Sequence, residues 1–231
     1  MITAHEQVLI TNPAAYAQLQ TAEEASILLL SDTHGHSAAV AWIFSEIGRH
    51  VDACCFAGDG AEDIISTVYT LDKHASQPKL PTAVIIARGN CDCAYCMLSS
   101  GEDEKPHRFD IPPYQRVKIA QQRILLTHGH LCGVDFDKQA LHQTAYESGC
   151  TIAVHGHTHR QSLHYENHTV SINPGSPAHP RGQSPAGFAL LVLHALQKTG
   201  TLSFYTLQQD KHDRFAAHIN AQHTLPQGIV H

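Results

Sequence analysis

Three short apolar runs, Ile27–Leu30, Asp52–Ala57 and Thr82–Ala87, constrain the fold of this chain more than any other feature. Each has the length of a strand and stops at a polar or glycine-bearing turn: Asp32-Thr-His-Gly-His36, Gly58-Asp59-Gly60 and Arg88-Gly89-Asn90-Cys91-Asp92. Between the runs, apolar residues recur at helical spacing: Val40, Ile43, Phe44 and Ile47 in 38–49, then Ile64, Ile65, Val68 and Leu71 in 61–74. The resulting βαβαβ order predicts a parallel sheet with right-handed crossovers.

The second half changes character. Short strands are predicted at Arg108–Ile111, Gln115–Ala120 and Arg123–Thr127, a helix at Asp137–Ser148, and strands at Thr151–Val154, Gln161–Tyr165, Thr169–Ile172, Gly187–Leu193 and Leu202–Leu207. Tight turns between them point to antiparallel pairing. A polar segment, 1–24, precedes the first strand as an extension, helical over Ala14–Glu24. Residues 25–209 read as one domain without repeat or linker. The stretch Cys93–Pro113 is the least regular and reads as a mobile loop, and 210–231 as a poorly packed tail.

A chain of 231 residues buries roughly 70–75% of its unfolded surface, so it needs neither disulfides nor a structural metal merely to fold. Fifteen basic against twenty-one acidic residues give a net charge of −6, and the lack of a basic run argues against nucleic-acid binding. The first thirteen residues lack the basic-then-apolar pattern of a secretory leader, and the longest apolar stretches are too short to span a bilayer. Seven cysteines, an odd and unevenly clustered number, read as reduced thiols. A cytoplasmic protein is expected, with homo-oligomerisation left open.

Twenty histidines are far more than such a chain needs, and their placement suggests metal. Five segments put metal-type donors directly after an apolar run: Asp32-Thr-His34, Gly58-Asp59, Gly89-Asn90, Thr127-His128-Gly-His130 and His155-Gly-His157-Thr-His159. In an open α/β sheet, ligands gather at the carboxyl ends of strands. In extended backbone residues two apart share a face, so Asp32 and His34 can grip one ion. His157 and His159 can do the same or be divided between two. Carboxylate, amide and imidazole donors suit borderline divalent ions such as Mn²⁺, Fe²⁺ or Zn²⁺. The Cys91-Asp-Cys93-Ala-Tyr-Cys96 cluster lacks the second cysteine pair that a thiolate zinc knot requires. Asp92 reads as a support for a neighbouring ligand or a turn cap.

The order Asp-x-His, Gly-Asp, Gly-Asn, His, Gly-His-x-His, written here as SDTHGH, AGDG, RGNCD, THGH and HGHTHR with NPGS after it, resembles the calcineurin-like metallophosphoesterase superfamily. It is most similar to the small bacterial and archaeal phosphodiesterase branch, and the likeness runs from about Ile27 to Leu207. It implies an α/β (α+β) fold of two mixed β-sheets packed as a sandwich flanked by helices, a four-layer αββα arrangement. It also implies two divalent ions per chain, Mn²⁺ foremost with Zn²⁺, Fe²⁺ or Ni²⁺ as alternatives. One ion would take Asp32, His34, Asp59 and His159; the other would take Asp59, Asn90, His128 and His157. The implied activity is hydrolysis of phosphodiester bonds in a small phosphate ester or nucleotide, by a hydroxide held between the ions. Asp59, Asn90 and His130 are then the expected catalytic residues, and Arg88, Asn90, His130 and Arg160 the expected substrate contacts. His155 could orient a ligand, touch substrate or simply pack. A phosphomonoesterase, a nucleotide pyrophosphohydrolase and a non-catalytic scaffold of the same fold are the rival readings. Two departures stand out. Cys91 occupies the position after Asn90 where many members carry histidine. Glu62 stands where purple acid phosphatases place an iron-binding tyrosine, so a ferric centre is not implied.

Overall fold

The computed structural model describes residues 3–5, 8–10, 13–74, 80–98, 106–166 and 168–226. In chain order the strands are β1 (Thr3–His5), β2 (Val8–Ile10), β3 (Glu24–Leu30), β4 (Ala53–Phe56), β5 (Ala83–Ile86), β6 (Tyr95–Leu98), β7 (His107–Asp110), β8 (Tyr114–Ile119), β9 (Gln122–Thr127), β10 (Ile152–Val154), β11 (Ser162–Glu166), β12 (Thr169–Asn173), β13 (Gly187–His194), β14 (Thr199–Gln209) and β15 (Phe215–Leu225). The helices are α1 (Pro13–Leu19), α2 (Ser37–Glu46), α3 (Ala61–His74) and α4 (Gln139–Glu147).

An eight-stranded sheet has the order β1-β2-β5-β4-β3-β13-β14-β15 and a five-stranded sheet the order β11-β12-β10-β9-β8. Both are mixed: β3, β4 and β5 run parallel, as do β9, β10 and β12, with antiparallel strands outside them. Strand alternation explains the layering. Ile27, Leu29, Ala53, Cys55, Ala83 and Ile85 face the second sheet, where Ile124, Leu126, Ile152, Val154, Val170 and Ile172 meet them in one core. The alternate residues Leu28, Leu30, Cys54, Phe56, Val84 and Ile86 face outward onto Val40, Ile43 and Phe44 of α2 and Ile64, Ile65 and Val68 of α3. On the far side, Leu125 and Ala153 pack against Leu141 and Ala145 of α4. This is the αββα sandwich. Each fully buried valine, leucine, isoleucine or phenylalanine in these layers contributes roughly 1.5–3 kcal/mol.

Three expectations need correction. The helix expected at Ala14–Glu24 ends at Leu19, because Glu24 already belongs to β3. The stretch Cys93–Pro113 contains an antiparallel ribbon, β6 with β7, in which Tyr95 pairs with Asp110 and Leu98 with His107; residues 99–105 lie outside the described ones. The expected tail contains β15, an eleven-residue strand paired along β14 from Gln209↔Phe215 to Gly200↔Leu225. Its mostly exposed side chains, polar or alanine apart from Phe215, Ile219 and Leu225, hid it, since a strand at a sheet edge is held by main-chain hydrogen bonds that leave little apolar signature. Among the described residues no helix is long and apolar enough to cross a membrane.

Ending the chain at Asp210 would expose the β14 edge along its whole length, and an unpaired edge templates association. The truncated protein should melt at lower temperature and show concentration-dependent association by sedimentation velocity; a monomer with unchanged Tm would mean that β15 contributes nothing.

Candidate metal centre

Because the two sheets pack face to face with β3, β4, β5, β9 and β10 pointing the same way, the residues following these strands meet at one rim. Their conformation differs from the extended geometry expected of Asp32 and His34. Asp32 (φ 56°), His34 (φ 44°), Asp59 (φ 61°), His157 (φ 69°) and His159 (φ 56°) all have left-handed backbones. Such conformations cost on the order of 1–3 kcal/mol each, so convergence here comes from strained turns rather than strand alternation. The loops are cross-braced: Asp32 N–H donates to the Gly58 carbonyl (2.9 Å) and His34 N–H to the Asp59 carbonyl (3.1 Å). Two glycines make room at the closest approaches. A Cβ on Gly89 would strike the Asp59 carboxylate, and one on Gly156 would strike Ser31 Oγ and Asp32 Oδ2.

The donors form two adjoining groups. Asp32, His34 and His159 place their ligand atoms within 4.8 Å of one another, as do Asp32, Asp59 and His128. Nε2 of His34 is 3.2 Å from Nε2 of His159, and Nδ1 of His157 is 3.2 Å from Nε2 of His128. His157 and His159 are therefore divided between the groups. Asp59 Oδ2 lies 3.3 Å from His128 Nε2 and 3.8 Å from His34 Nε2. Asp32 Oδ1 lies 3.3 Å from His159 Nε2 and 3.9 Å from His128 Nε2. Both carboxylates thus stand between the histidine groups, where Asp59 alone was expected.

The imidazoles are oriented from behind, which sets their tautomers. His128 Nδ1–H donates to the Ala57 carbonyl (2.7 Å) and His159 Nδ1–H to the His179 carbonyl (2.6 Å), so each directs Nε2 inward. His157 Nε2–H donates to Asp135 (2.6 Å), which turns Nδ1 inward instead. Ser176 Oγ–H donates to the Asp32 carbonyl (2.6 Å), and Asn173 donates to the Gly156 carbonyl (2.8 Å), so the NPGS turn clamps the first and last loops together. Asp92 is the largest brace. Its carboxylate accepts backbone N–H groups from Asp59 (2.8 Å), Gly60 (2.8 Å), Ala61 (2.9 Å) and Gly89 (2.8 Å), tying the ends of β4 and β5 to the start of α3.

Charge is finely divided here. Burial pushes the Asp32 carboxyl up to about 7 against the pull of His128. Burial also opposes the charge on Asp59, but hydrogen bonds from His128 and the Cys91 N–H win and hold it well below the usual carboxylate range. For His128, burial is outweighed by Asp59 and Asp32, which raise it. Burial lowers His159 to about 4, so its ring is neutral with a lone pair available. Burial, Asp59, Asp92 and Asp32 raise the Cys91 thiol, keeping it neutral. Two carboxylates and four imidazoles at spacings of 3.2–3.9 Å, with their donor atoms aimed inward, fit borderline divalent ions once those atoms are deprotonated.

Asn90 is exposed, and its amide nitrogen lies 3.2 Å from Cys91 Sγ. Cys91, by contrast, groups with His34 and Asp59. His130 leans over His128 and His157, with ring centroids at 5.4 and 6.1 Å, and its buried Nδ1 has no hydrogen-bond partner among the described residues. Arg88 is near enough to His130 to help burial, His128 and His157 lower its pKa. Arg160 is exposed, and its guanidinium lies over Gly182. Arg181 is also near the cluster and, after burial and the opposing His179 carbonyl, helps lower His159. His155 is fully buried behind the rim, against the Gly156 carbonyl and Asn173, so it packs rather than touching substrate. Sequence reasoning missed Asp135, His179 and Arg181. Only the fold brings them close, and no local motif marks them.

Residues 25–195 match the calcineurin-like phosphoesterase superfamily domain. The chain belongs to this superfamily. It is 37% identical over 109 residues to phosphodiesterase YfcE of Escherichia coli K12, a match covering 47% of this chain and 52% of YfcE, so it spans about half that relative's length. It is 26% identical over 181 residues to the probable metallophosphoesterase YsnB of Bacillus subtilis, covering 78% and 90% of the two chains. In fold it is similar to Vacuolar Protein Sorting 29 of Cryptosporidium parvum, with TM-score 0.62, 20% identity, and coverage of 87% of this chain and 99% of that one. All seven cysteines are free.

Two outcomes test this geometry. A cation entering the cluster must displace protons held by Asp32 and His128. Because the folded Asp32 value of about 7 exceeds its ordinary 3.8, its stabilisation of the metal-free fold is full below pH 4 and is lost as pH rises to 7. Metal affinity should therefore rise over that window, with greater proton release at pH 6 than at pH 8.5 by calorimetry in buffers of different ionisation enthalpy. Asp92→Ala leaves four N–H groups without their acceptor and should cost about 2–4 kcal/mol in urea unfolding.

Proposed function

We propose that this protein is a metal-dependent phosphodiesterase whose Asp32, His34, Asp59, His128, His157 and His159 hold two divalent ions. Mn²⁺ is the expected ion, with Zn²⁺, Fe²⁺ or Ni²⁺ as alternatives. The observation that carries the proposal is the convergence of six donors, from two sheets, with their tautomers set from behind. Two such ions would supply Lewis acidity toward phosphoryl oxygens and an activated water.

The chain's own residues supply orientation and proton control. Asp59, kept ionised by His128 and the Cys91 N–H, fixes negative charge between the histidine groups. Neutral His130 offers an N–H toward a phosphoryl oxygen at the rim, with Arg88 close enough to be felt. Beside the cluster lies a cleft of about 610 Å³ whose walls include Glu62, Asp63, Asp92, Tyr95, Met97 and Ile111. Among the described residues no lysine or arginine lines it. A substrate arm carrying further negative charge is disfavoured there, while an uncharged or partly apolar group finds Tyr95, Met97 and Ile111. This supports diesters over monoester dianions and over nucleotide polyphosphates. Likeness in fold to Vps29 favours one second reading, a binding scaffold that uses the same surface without turnover.

Asp59→Asn should abolish turnover and lower metal occupancy while the fold persists by circular dichroism. Full activity in chelator-stripped protein would overturn the metal requirement, and inactivity of loaded protein on every ester would favour the scaffold. kcat/KM for bis(p-nitrophenyl) phosphate should exceed that for p-nitrophenyl phosphate; a monoester advantage of about tenfold would reverse the assignment. A neutral Cys91 thiol is a poor substitute for an imidazolium at a departing alkoxide, where a positioned acid contributes roughly 10²–10⁴-fold. Cys91→His should therefore raise rates most for the worst leaving groups, and Cys91→Ala should change little for aryl esters.

A further inference from the structure

A second set of metal-type donors lies far from the rim, where α4 crosses the outer face of the five-stranded sheet. His142 of α4 and His164 and Glu166 of the edge strand β11 place their ligand atoms within 4.8 Å of one another. His164 and Glu166 are two apart on a strand and so share a face. They pair across the ladder with Ser171 and Thr169. Thr169 opens β12, at the opposite end of that strand from Asn173 and the rim; four residues of strand span roughly 13 Å.

The hydrogen bonds around His142 prepare one of its nitrogens as a ligand. Thr169 has a single hydroxyl proton and donates it to the Glu166 carbonyl (3.0 Å). Its oxygen then accepts from His142 Nδ1–H (2.5 Å). With Nδ1 protonated and the buried ring neutral, Nε2 carries a lone pair, and it points at Nδ1 of His164, 3.1 Å away. Two imidazole nitrogens about 2.0–2.1 Å from one zinc ion stand roughly 3–3.4 Å apart, so the rings are already at ligand spacing. Glu166 adds a carboxylate oxygen. A cleft of about 340 Å³, bordered by His142, Glu166, His168 and Thr169, gives a path of entry and room for water or His168 as the remaining ligand.

From this geometry we infer a separate binding site for a borderline divalent cation of the zinc class, held by His142, His164 and Glu166. Two nitrogens and one oxygen match the donor preferences of that class. The ion clips α4 to the β11–β12 hairpin, closing an edge that main-chain hydrogen bonds hold on one side only. None of the three residues belongs to the rim cluster, so the inference stands apart from the proposed phosphodiesterase activity.

His142 is buried and its replacement risks the fold, so the test uses exposed His164. Zinc bound after equilibrium dialysis and the zinc-induced rise in Tm are measured for wild type, His164→Ala, Glu166→Gln and Asp59→Asn. His164→Ala is expected to bind one ion fewer than wild type and to show a smaller Tm rise, with unchanged kcat/KM on bis(p-nitrophenyl) phosphate. Glu166→Gln should weaken the same ion, and Asp59→Asn should keep it while losing metal at the rim. Equal zinc content and equal Tm shift in wild type, His164→Ala and Glu166→Gln would overturn the inference, leaving a plain histidine–histidine hydrogen bond. An ion retained by His164→Ala but lost by Asp59→Asn would assign all bound zinc to the rim and overturn it equally.

Discussion

A carboxylate taken wholly out of water is the constraint to which the rest of this structure responds. Asp32 has no exposed surface, and its charge is tolerable only against a cation or a proton. Ser31 Oγ–H and the His157 N–H bond to it directly, yet burial still dominates its pKa. Asp59, half a nanometre or less from the same imidazoles, is stabilised by more hydrogen bonds and stays charged. Two carboxylates at one spot with opposite tendencies create a site that takes up protons or divalent ions according to pH.

Holding those groups together requires a rigid frame. Five of the six converging residues sit in left-handed backbone, which persists only where surrounding structure over-determines it. The frame is the central sandwich, whose parallel strands end on a common level, and the braces are side chains with no part in chemistry. Asp92 gathers four amide donors from two strand ends and one helix start. Asn173 and Ser176 join the loop after β10 to the loop after β3. Loss of a brace would act on the site through displacement of the ligands rather than through removal of one.

The five-stranded sheet has a division of labour along its length. Its inner face builds the core, its carboxyl ends supply His128, His157 and His159, and its outer face carries α4 over a polar patch of histidine, threonine and serine. On this sheet Ser171 Oγ and His155 Nε2 are buried without hydrogen-bond partners among the described residues, an uncommon concentration of unsatisfied polarity. Polar residues at these positions weaken an otherwise apolar helix–sheet contact, which is why a cation clip at the β11 edge would matter to its stability.

Much of the site was legible in the sequence because its ligands are local: Asp32 with His34, and His157 with His159, each follow an apolar strand, and strand order alone carries such residues to one rim. The αββα layers were implied by the same motifs, and the apolar periodicity of α2 and α3 marked their buried faces. What only the tertiary structure decided involves residues distant in sequence or elements without apolar pattern. Asp135 and the His179 carbonyl orient ligands across 22 and 20 positions. Arg181, marked by no local motif, came near His159. The strand β15 exists because β14 offers it an edge. Side-chain chemistry and local period are written into short stretches of chain, whereas the partner of a polar group is fixed only when the backbone has brought both to the same place.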